Sequence, residues 1–269
     1  MSQIAVAVNG ALGKMGKQVT DAVCQDPGLK LVGAVDIKAI DKKLTLPDGT
    51  GEVPLSVDSK MILEECRPQV LVDFTIAEVA MAVSRIAASH SVNLVIGTSG
   101  LSDNDIREIG QLAEKHDIGV VVAPNFAIGA VVLVHLARIA AKYFDYAEII
   151  ELHHQEKADA PSGTALATAQ SMLEARGESF KTVPTEKETL RGCRGGQVDG
   201  VTIHSVRLQG LVASQEVLFG AQGQTLSLRH DTMSRDCFMP GVVLAIKEVV
   251  KRKGLVYGMD TLLGLKGER

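Results

Sequence analysis

Two histidines, a lysine and a short hydroxyl-rich turn lie within twelve residues near the middle of the chain. The segment contains His153, His154 and Lys157 and ends in Pro161-Ser162-Gly163-Thr164. Histidine and lysine side chains can exchange protons with a bound ligand. A helix with Ser162 or Thr164 as its N-cap would point free backbone N–H groups and its positive dipole end at a carboxylate or phosphate. These residues therefore predict a site that binds a small anion and supplies a proton.

The elements on either side would hold this segment in place. Residues 146–152 alternate in hydrophobicity and favour a strand, and residues 165–175 favour a helix after Pro161. Neighbouring residues of a strand point to opposite faces, so at most one of the two histidines would face a given pocket. Histidines also pack and lysines are also solvated, so the segment alone leaves a structural role open. A metal site is disfavoured, because the histidines lack the i, i+4 spacing of the helical zinc motif.

A second candidate site lies near the first residue, where a glycine-rich turn follows a short apolar run. The pattern is a strand over 4–8, a turn with Gly10, Gly13 and Gly16, a helix over 18–24, and a strand over 31–35 before Asp36. In a dinucleotide site these glycines permit a tight turn, backbone approach to the pyrophosphate and close helix–strand packing, and the acid accepts from ribose hydroxyls. A P-loop is disfavoured, because Gln18 follows Lys17 where Ser or Thr is required. The sequence thus predicts a Rossmann-type domain.

The choice between NADH and NADPH depends on the residues after the second strand. Asp36 would repel a 2′-phosphate, whereas Lys38, Lys42 or Lys43 could neutralise one. We expect NADH to be accepted, and NADPH as well.

Strands and helices continue to alternate up to residue 122, which predicts a parallel sheet covered on both faces. The predicted elements are strands over 70–74, 93–96 and 119–122 and helices over 78–88 and 102–115, after a surface loop over 40–53. Ligands bind beyond the carboxyl ends of such strands. The residues there are Asp73-Phe74-Thr75, Gly97-Thr98-Ser99-Gly100 and Ala123-Pro124-Asn125-Phe126. Each of these segments could also be ordinary turn chemistry.

The organisation changes after Phe126. A helix is predicted over 128–142, a polar stretch without periodicity over 177–199, strands over 201–208, 214–219 and 224–230, a helix over 241–251 and a closing segment over 258–265. The spacers 209–213 and 220–223 predict hairpins and an antiparallel or mixed sheet. We expect an α/β chain with one domain over 1–126 and 235–269, to which the last long helix returns, and an α+β domain over 127–234.

Composition restricts the classes of function. The net charge of −4 and an aromatic content of 3% argue against nucleic-acid binding. No apolar run is long enough to span a membrane, and the first residues lack the basic start of a signal peptide. The four cysteines are scattered, as expected of reduced thiols in a cytoplasmic protein.

The chain resembles the dihydrodipicolinate reductase family, also called the 4-hydroxy-tetrahydrodipicolinate reductase family, over essentially its whole length. The most specific match is Glu148-Ile149-x-Glu151-x-His153-x-x-x-Lys157-x-Asp159-x-Pro161-Ser162-Gly163-Thr164-Ala165, which agrees at every fixed position. The glycine turn, the Gly97 and Ala123 segments and Arg194-Gly195-Gly196 follow in the family's order. Lys14 replaces a common Arg, Ser99 replaces a usual Thr, and Ile37-Lys38 replaces the Arg that binds the 2′-phosphate. The resemblance therefore does not fix the cofactor preference.

The resemblance implies an NAD(P)H-dependent oxidoreductase of lysine and diaminopimelate biosynthesis that acts on a cyclic imine with two carboxylates. It implies that His153 donates or accepts the proton and that Lys157 is a second donor that also binds substrate. Ser162, Gly163 and Thr164 would hold one carboxylate, with His154 helping to position the ring. The implied cofactor-binding residues are Gly10, Ala11, Leu12, Gly13, Lys14, Met15, Asp36, Lys38, Gly97, Thr98, Ser99, Ala123, Pro124, Asn125 and Phe126. Members are typically homotetramers that assemble through the sheet of the second domain.

Two other classes stay open at this point. Another nicotinamide-dependent dehydrogenase of amino-acid synthesis is one, but a semialdehyde type needs a nucleophilic cysteine, and neither Cys193 nor Cys237 has an evident histidine partner. The other is a non-catalytic NAD(H)-binding regulatory protein. Such a protein would bind cofactor without turnover and would have no use for His153 and Lys157.

Overall fold

The computed structural model describes residues 3–265, which form two compact units. The first unit runs up to Ile128 and resumes at Arg235, and the second is Gly129–Ser234. The elements up to residue 122 are β1 (Ile4–Asn9), α1 (Lys14–Gln25), β2 (Leu29–Val35), β3 (Lys43–Thr45), β4 (Glu52–Ser56), α2 (Ser59–Cys66), β5 (Val70–Asp73), α3 (Ala77–Ser89), β6 (Asn93–Ile96), α4 (Asp103–Lys115) and β7 (Gly119–Val122). The later elements are α5 (Ile128–Ala140), β8 (Tyr146–His153), α6 (Gly163–Arg176), β9 (Gly196–Val198), β10 (Val201–Arg207), β11 (Ala213–Ala221), β12 (Gln224–Thr232), a 3₁₀ helix (Arg235–Phe238), α7 (Met239–Val249), β13 (Gly254–Tyr257) and α8 (Met259–Leu262).

The first unit is an eight-stranded sheet in the order β13-β7-β6-β5-β1-β2-β4-β3. Its strand pairs are parallel except for β3 against β4. The strand order reverses between β1 and β5, so the carboxyl ends of these two strands border the crevice in which such sheets bind ligands. The predicted Rossmann-type domain is confirmed.

Continuous apolar runs fill the centre of this sheet. Val70, Leu71 and Val72 of β5 are fully buried, as expected of a parallel strand covered on both faces. Each such side chain contributes about 1.5–3 kcal/mol by leaving water. The helix α4 begins with a capping box, because the Ser102 hydroxyl accepts from the Asp105 N–H and the Asp105 carboxylate accepts from the Ser102 N–H.

The long C-terminal helix α7 belongs to the first unit, as predicted. It packs against α1 and against the β5, β6 and β7 strands. A Cβ atom on Gly241 would lie 2.1 Å from the Phe126 carbonyl oxygen, so the helix approaches the end of β7 closely at a residue without a side chain. Lys247 also pairs with Asp26 at 2.7 Å.

The second unit is a five-stranded mixed sheet in the order β12-β11-β8-β10-β9. Its central strand β8 is antiparallel to β11 and parallel to β10. Ile149, Val217 and Phe219 point from the sheet into a core shared with α5 and α6. The mixed sheet agrees with the predicted α+β domain.

Two of the predictions were wrong, and several elements of the structure were not predicted. Residues 40–53 are not only a loop, because β3 and the start of β4 form an antiparallel pair there. Spacer 209–213 does not close a hairpin, because β8 lies between β10 and β11. Sequence reasoning also missed α2, β9 and β13. The strands β3, β9 and β13 are three or four residues long and form by pairing with a neighbouring strand, so no local periodicity reveals them.

Candidate active site

The glycine turn of the first unit leaves no room for side chains. Gly10 has φ +78°, and a Cβ there would lie 2.9 Å from Thr75 Cγ2. A Cβ on Gly16 would lie 2.0 Å from the Gly10 carbonyl oxygen, so α1 packs directly on the turn. Gly13 is the N-cap of α1 and supplies no side chain to the first-turn N–H groups. The amides of Gly10 and Ala11 donate to the Val35 carbonyl oxygen and that of Leu12 donates to Asp36, so the groups that fit a pyrophosphate are the first-turn amides of α1 and its positive dipole end.

Asp36 lies at the end of β2, but its carboxylate is already used by the protein. One oxygen accepts from the Leu12 N–H at 2.8 Å and the other accepts from the Lys38 N–H at 2.9 Å. The residue is 7% exposed. Asp36 therefore fixes the glycine turn to β2, with its remaining lone pairs free to accept from a ribose hydroxyl.

A second carboxylate, Asp73, connects three strand ends at the point where the sheet order reverses. It is 1% exposed and accepts from Asn9 Nδ2 and from Thr98 Oγ1, each at 2.5 Å. Thr75 donates to it through both its N–H and its hydroxyl. Burial raises the pKa of Asp73 above its ordinary value, and these hydrogen bonds only partly oppose the rise. The hydroxyl of Thr98, which was predicted to contact the cofactor, thus donates its hydrogen bond to Asp73.

The remaining predicted cofactor residues gather around two phenylalanines. The Phe74 and Phe126 rings lie 5.6 Å apart, and a Cβ on Gly97 would lie 2.1 Å from the Phe74 ring. Ala123 and Phe126 are buried, whereas Ser99 and Pro124 are exposed. Asn125 accepts from the Ala127 N–H at 2.9 Å. Lys14 and Lys38 are exposed, and Ala11, Leu12 and Met15 complete the turn. The structure brings the ends of β5, β6 and β7 together beside the glycine turn.

In the second unit, β8 and α6 hold the predicted anion site between them. Ser162 is the N-cap of α6, and its hydroxyl accepts from the Ala165 N–H at 3.2 Å. Ser162 is 2% exposed, whereas Gly163 and Thr164 are exposed. The Ser162 hydroxyl thus binds the Ala165 amide, and the first-turn amides left for a ligand are those of Gly163, which faces Asp159, and Thr164.

Lys157 lies in the loop before this helix. Its Nζ donates to Asp159 Oδ1 at 2.6 Å. The pKa of Asp159 is held below its ordinary value, first by this hydrogen bond and also by the Gly163 N–H. A carboxylate of the chain itself thus lies against the lysine and the helix end, the two groups that would bind a ligand's carboxylate.

His153 ends β8 and points to the same face as Glu151, two residues earlier. Its Nδ1 lies 2.5 Å from Glu151 Oε2. Burial lowers the pKa of His153, and the charges of Lys157 and Arg207 lower it further, against the opposing effect of Glu151. His154 follows the strand and is exposed. The two histidines therefore differ in environment, and the partly buried one carries the carboxylate partner.

Glu151 and Arg207 contact the predicted site, and sequence reasoning gave neither of them a role in it. Glu151 is fully buried, and Arg207 donates to both of its oxygens, at 2.8 and 2.9 Å. The fixed spacing of Glu151 two residues before His153 was a signal on the same strand face. Arg207 is 56 residues away and carried no local signal.

Among residues 3–265, no group of three or more His, Cys, Asp and Glu side chains is arranged to hold a metal ion. The same residues contain no helix that is long and apolar enough to cross a membrane.

Family models extend over both parts of the chain. Residues 4–126 match the dihydrodipicolinate reductase N-terminal model, and residues 129–263 match the C-terminal model of the same family. The chain belongs to the dihydrodipicolinate reductase family. A relative from Dehalococcoides mccartyi, named 4-hydroxy-tetrahydrodipicolinate reductase, is 56% identical over 98% of this chain and 100% of its own length. A Synechocystis relative of the same name is 48% identical over 97% of this chain and 98% of its own length.

A solved dihydrodipicolinate reductase has the same fold. The dipicolinate-bound enzyme from Paenisporosarcina sp. TG-14 is 41% identical, with a TM-score of 0.86 over 96% of this chain and 99% of that one. The predicted family and fold class are therefore confirmed, and an amino-acid-pathway dehydrogenase of another family is no longer a candidate.

Proposed function

We propose that this chain reduces 4-hydroxy-tetrahydrodipicolinate (dihydrodipicolinate) to tetrahydrodipicolinate with a reduced nicotinamide dinucleotide, a step of lysine and diaminopimelate biosynthesis. The observation that carries the proposal is that one buried carboxylate, Glu151, binds both His153 and the start of α6, with Lys157 in the loop between them, in a chain of this family. We assign cofactor binding to residues 1–126 and 235–269, and substrate binding to residues 127–234.

The substrate's carboxylates would bind at the start of α6, beside Lys157. The exposed amides of Gly163 and Thr164 lie at the positive end of α6. Lys157 adds a full charge and would exchange Asp159 for a substrate carboxylate. We place His154 beside the ring, where its exposed side chain can help to orient the substrate.

The glycine turn, Asp36 and the ends of β5, β6 and β7 would hold the dinucleotide, which supplies a hydride when bound. Hydride transfer adds two electrons to the ring and leaves a negative charge on it. A proton must therefore follow to neutralise that charge. The donors that the second unit offers for that proton are the Lys157 ammonium and His153 once its ring is protonated at Nε2. After donation His153 is the neutral ring with its proton on Nδ1 against Glu151, and solvent restores the proton that was given. General acid catalysis by such a group contributes about 10²–10⁴ in rate.

The cofactor preference depends on Asp36 and Lys38. Asp36 keeps a carboxylate near the position of a ribose 2′-hydroxyl, which favours NADH. Lys38 and Lys42 are exposed cations in the loop that follows and can pair with a 2′-phosphate. We therefore propose that both NADH and NADPH are used.

We also propose that four copies assemble through one face of the five-stranded sheet. Ile150, Leu152 and Leu218 alternate with the core residues and lie on the face opposite α5 and α6, where they are only partly buried. Apolar side chains on a partly exposed sheet face favour association. Sedimentation should give four times the 28.5 kDa chain mass, and Ile150→Glu should lower it. Since Cys24, Cys66, Cys193 and Cys237 are all free thiols, we propose a cytoplasmic location.

The rival function is a regulatory protein that binds NAD(H) without turnover. The decisive variants are His153→Gln and Lys157→Ala, with His116→Gln at the end of α4 as the control. We expect both to lower kcat by about 10²–10⁴ while the NADH dissociation constant changes less than about threefold. Wild-type kcat in both variants, or an equal loss of NADH binding, would contradict the assigned roles.

A further inference from the structure

One carboxylate in the second unit is buried more completely than its chemistry alone would permit. Glu151 has no exposed surface and points from β8 into the layer below α6. Moving an isolated carboxylate out of water is costly unless it is paired and hydrogen-bonded. The groups that compensate Glu151 therefore show what it holds in place.

Arg207 is its main partner. The two guanidinium NH groups donate to the two carboxylate oxygens at 2.9 and 2.8 Å, which is a bidentate arrangement. Arg207 also donates to the Asp159 carbonyl oxygen at 2.6 Å, so it connects β10 to the loop that carries Lys157. Burial alone would raise the pKa of Glu151, but the hydrogen bonds from Arg207, Ser205 and His153 hold it below its ordinary value. Glu151 is consequently an anion, which can accept hydrogen bonds but cannot donate them.

This charge state determines which nitrogen of His153 carries the proton. Nδ1 lies 2.5 Å from Glu151 Oε2. Because an ionised carboxylate only accepts, Nδ1 must be the protonated nitrogen of the neutral ring. Nε2 is then the nitrogen that exchanges a proton with a ligand, and its direction is fixed by the hydrogen bond at the other end of the ring.

The same carboxylate reaches the anion-binding helix. Glu151 Oε1 accepts from the Ser162 N–H at 3.2 Å, directly before the first residue of α6. Its two oxygens thus connect the proton-exchanging ring, the guanidinium on β10 and the start of the helix. No charged group of α6 is among those that shift the pKa of His153; the charges that do so are Glu151 on β8, Arg207 on β10 and Lys157 in the loop.

We propose that Glu151, held by Arg207, is a positioning residue for the reduction. It determines which nitrogen of His153 exchanges the proton, and it fixes the position of that ring relative to the amides of Gly163 and Thr164. This inference rests on the proposed function for its catalytic consequence, whereas the state of the His153 ring can be measured without any substrate.

Glu151→Gln tests the positioning role with almost no change in shape. The new amide can still accept from Arg207 with its oxygen, but its NH₂ group would then face His153 Nδ1 and drive the ring to the Nε2–H form. A carboxylate-to-amide change that selects the wrong histidine tautomer lowers kcat by about 10⁴ in a well-studied triad. We expect a fall in kcat of at least about 10²-fold, with the NADH dissociation constant within about threefold of wild type, because the cofactor residues lie in the first unit.

Nitrogen-15 NMR of the histidine rings gives the direct readout. Wild type should show His153 as the Nδ1–H tautomer, assigned by its absence from His153→Gln, and Glu151→Gln should show Nε2–H. The matched control is Glu108→Gln, which removes the same charge from another bidentate arginine pair, Arg85–Glu108, on the surface of the first unit. It should leave kcat and the His153 signals unchanged.

Arg207→Lys provides a second variant if Glu151→Gln does not fold. Lysine keeps the charge but cannot make the bidentate contact. Glu151 therefore stays ionised and His153 keeps its Nδ1 proton, but Glu151 is held less firmly and kcat falls about tenfold. Wild-type kcat in a folded Glu151→Gln or Arg207→Lys protein, or an Nε2–H ring in the wild type, would overturn the proposal. Wild type with the Nδ1–H ring but no substrate-dependent turnover would instead count against the proposed function and leave the positioning of His153 supported.

Discussion

Replacing Gly16 with alanine would place a methyl group inside the glycine turn. The new Cβ would lie 2.0 Å from the Gly10 carbonyl oxygen and 2.7 Å from Ala11 Cα, so α1 must move away by about 1 Å to restore van der Waals contact. Overpacking of this kind costs about 1–3 kcal/mol. Alanine also stabilises a helix interior by about 0.5–1 kcal/mol relative to glycine, which offsets part of this cost. The net change is a loss of up to about 2.5 kcal/mol in the free energy of unfolding.

The substitution should weaken NADH binding more than it lowers the free energy of unfolding. The same movement carries the first-turn amides of α1 away from the pyrophosphate position, and a hydrogen bond to a charged group contributes about 1.5–3 kcal/mol. NADH should therefore bind about 10–100-fold more weakly in a fluorescence titration, while urea unfolding measures the change in stability.

Gly110→Ala is the matched control for this experiment. Gly110 also lies inside a helix of the first unit, but its added Cβ would meet nothing closer than Leu255 Cδ2 at 3.6 Å. It should be stabilised by up to about 1 kcal/mol with unchanged NADH affinity. If Gly16→Ala binds NADH as tightly as wild type, the turn does not hold the pyrophosphate and the assignment of this site is wrong.

Three further predictions follow from charged residues of the two sites. Lys38→Ala should weaken NADPH binding at least about fivefold with little effect on NADH, whereas Lys30→Ala, at the other end of β2, should affect neither; equal losses for both cofactors would exclude a 2′-phosphate role. Asp159→Asn removes the carboxylate that competes for Lys157, so pyridine-2,6-dicarboxylate should inhibit about 2–5-fold more strongly at low salt, and weaker inhibition would show that Asp159 helps to build the site. The lowered pKa values of His153 and Glu151 mean that the unfolded chain binds their protons more readily, so the free energy of unfolding should fall as the pH drops below 6.5 and again below 4.5. The first of these falls should shrink in His153→Gln, and an unchanged profile in urea titrations across pH would contradict it.

The local geometry of the candidate sites was predictable where it depends on neighbouring residues. The glycine turn, the strand before it and Asp36 are connected by short stretches of chain, and their spacing alone indicates a dinucleotide site. The same holds for His153, Lys157 and the start of α6, where a strand, a loop and an N-cap follow one another directly. Asp36, Thr98 and Ser162 illustrate the limit of such reasoning. Their residue types pointed to ligand contacts, but their polar groups also bind the protein itself.

The parts that depend on distant residues were not predictable. Nothing near Arg207 indicates that it pairs with Glu151, 56 residues earlier, because the contact exists only when β10 lies beside β8. The order of the second sheet has the same origin. The short spacer between β10 and β11 suggested a hairpin, and only the burial of β8 as the central strand separates them. Strand pairing at such separations is determined by the packing of the whole unit.

The most direct test of the proposed function is a stoichiometric assay of the wild-type protein. Freshly generated 4-hydroxy-tetrahydrodipicolinate is added to the protein with NADH or NADPH, and both cofactor oxidation and tetrahydrodipicolinate formation are measured. The proposal predicts one cofactor oxidised for each product formed, with either cofactor, and no oxidation without substrate. Tight NADH binding with no substrate-dependent oxidation would contradict it and favour the regulatory alternative.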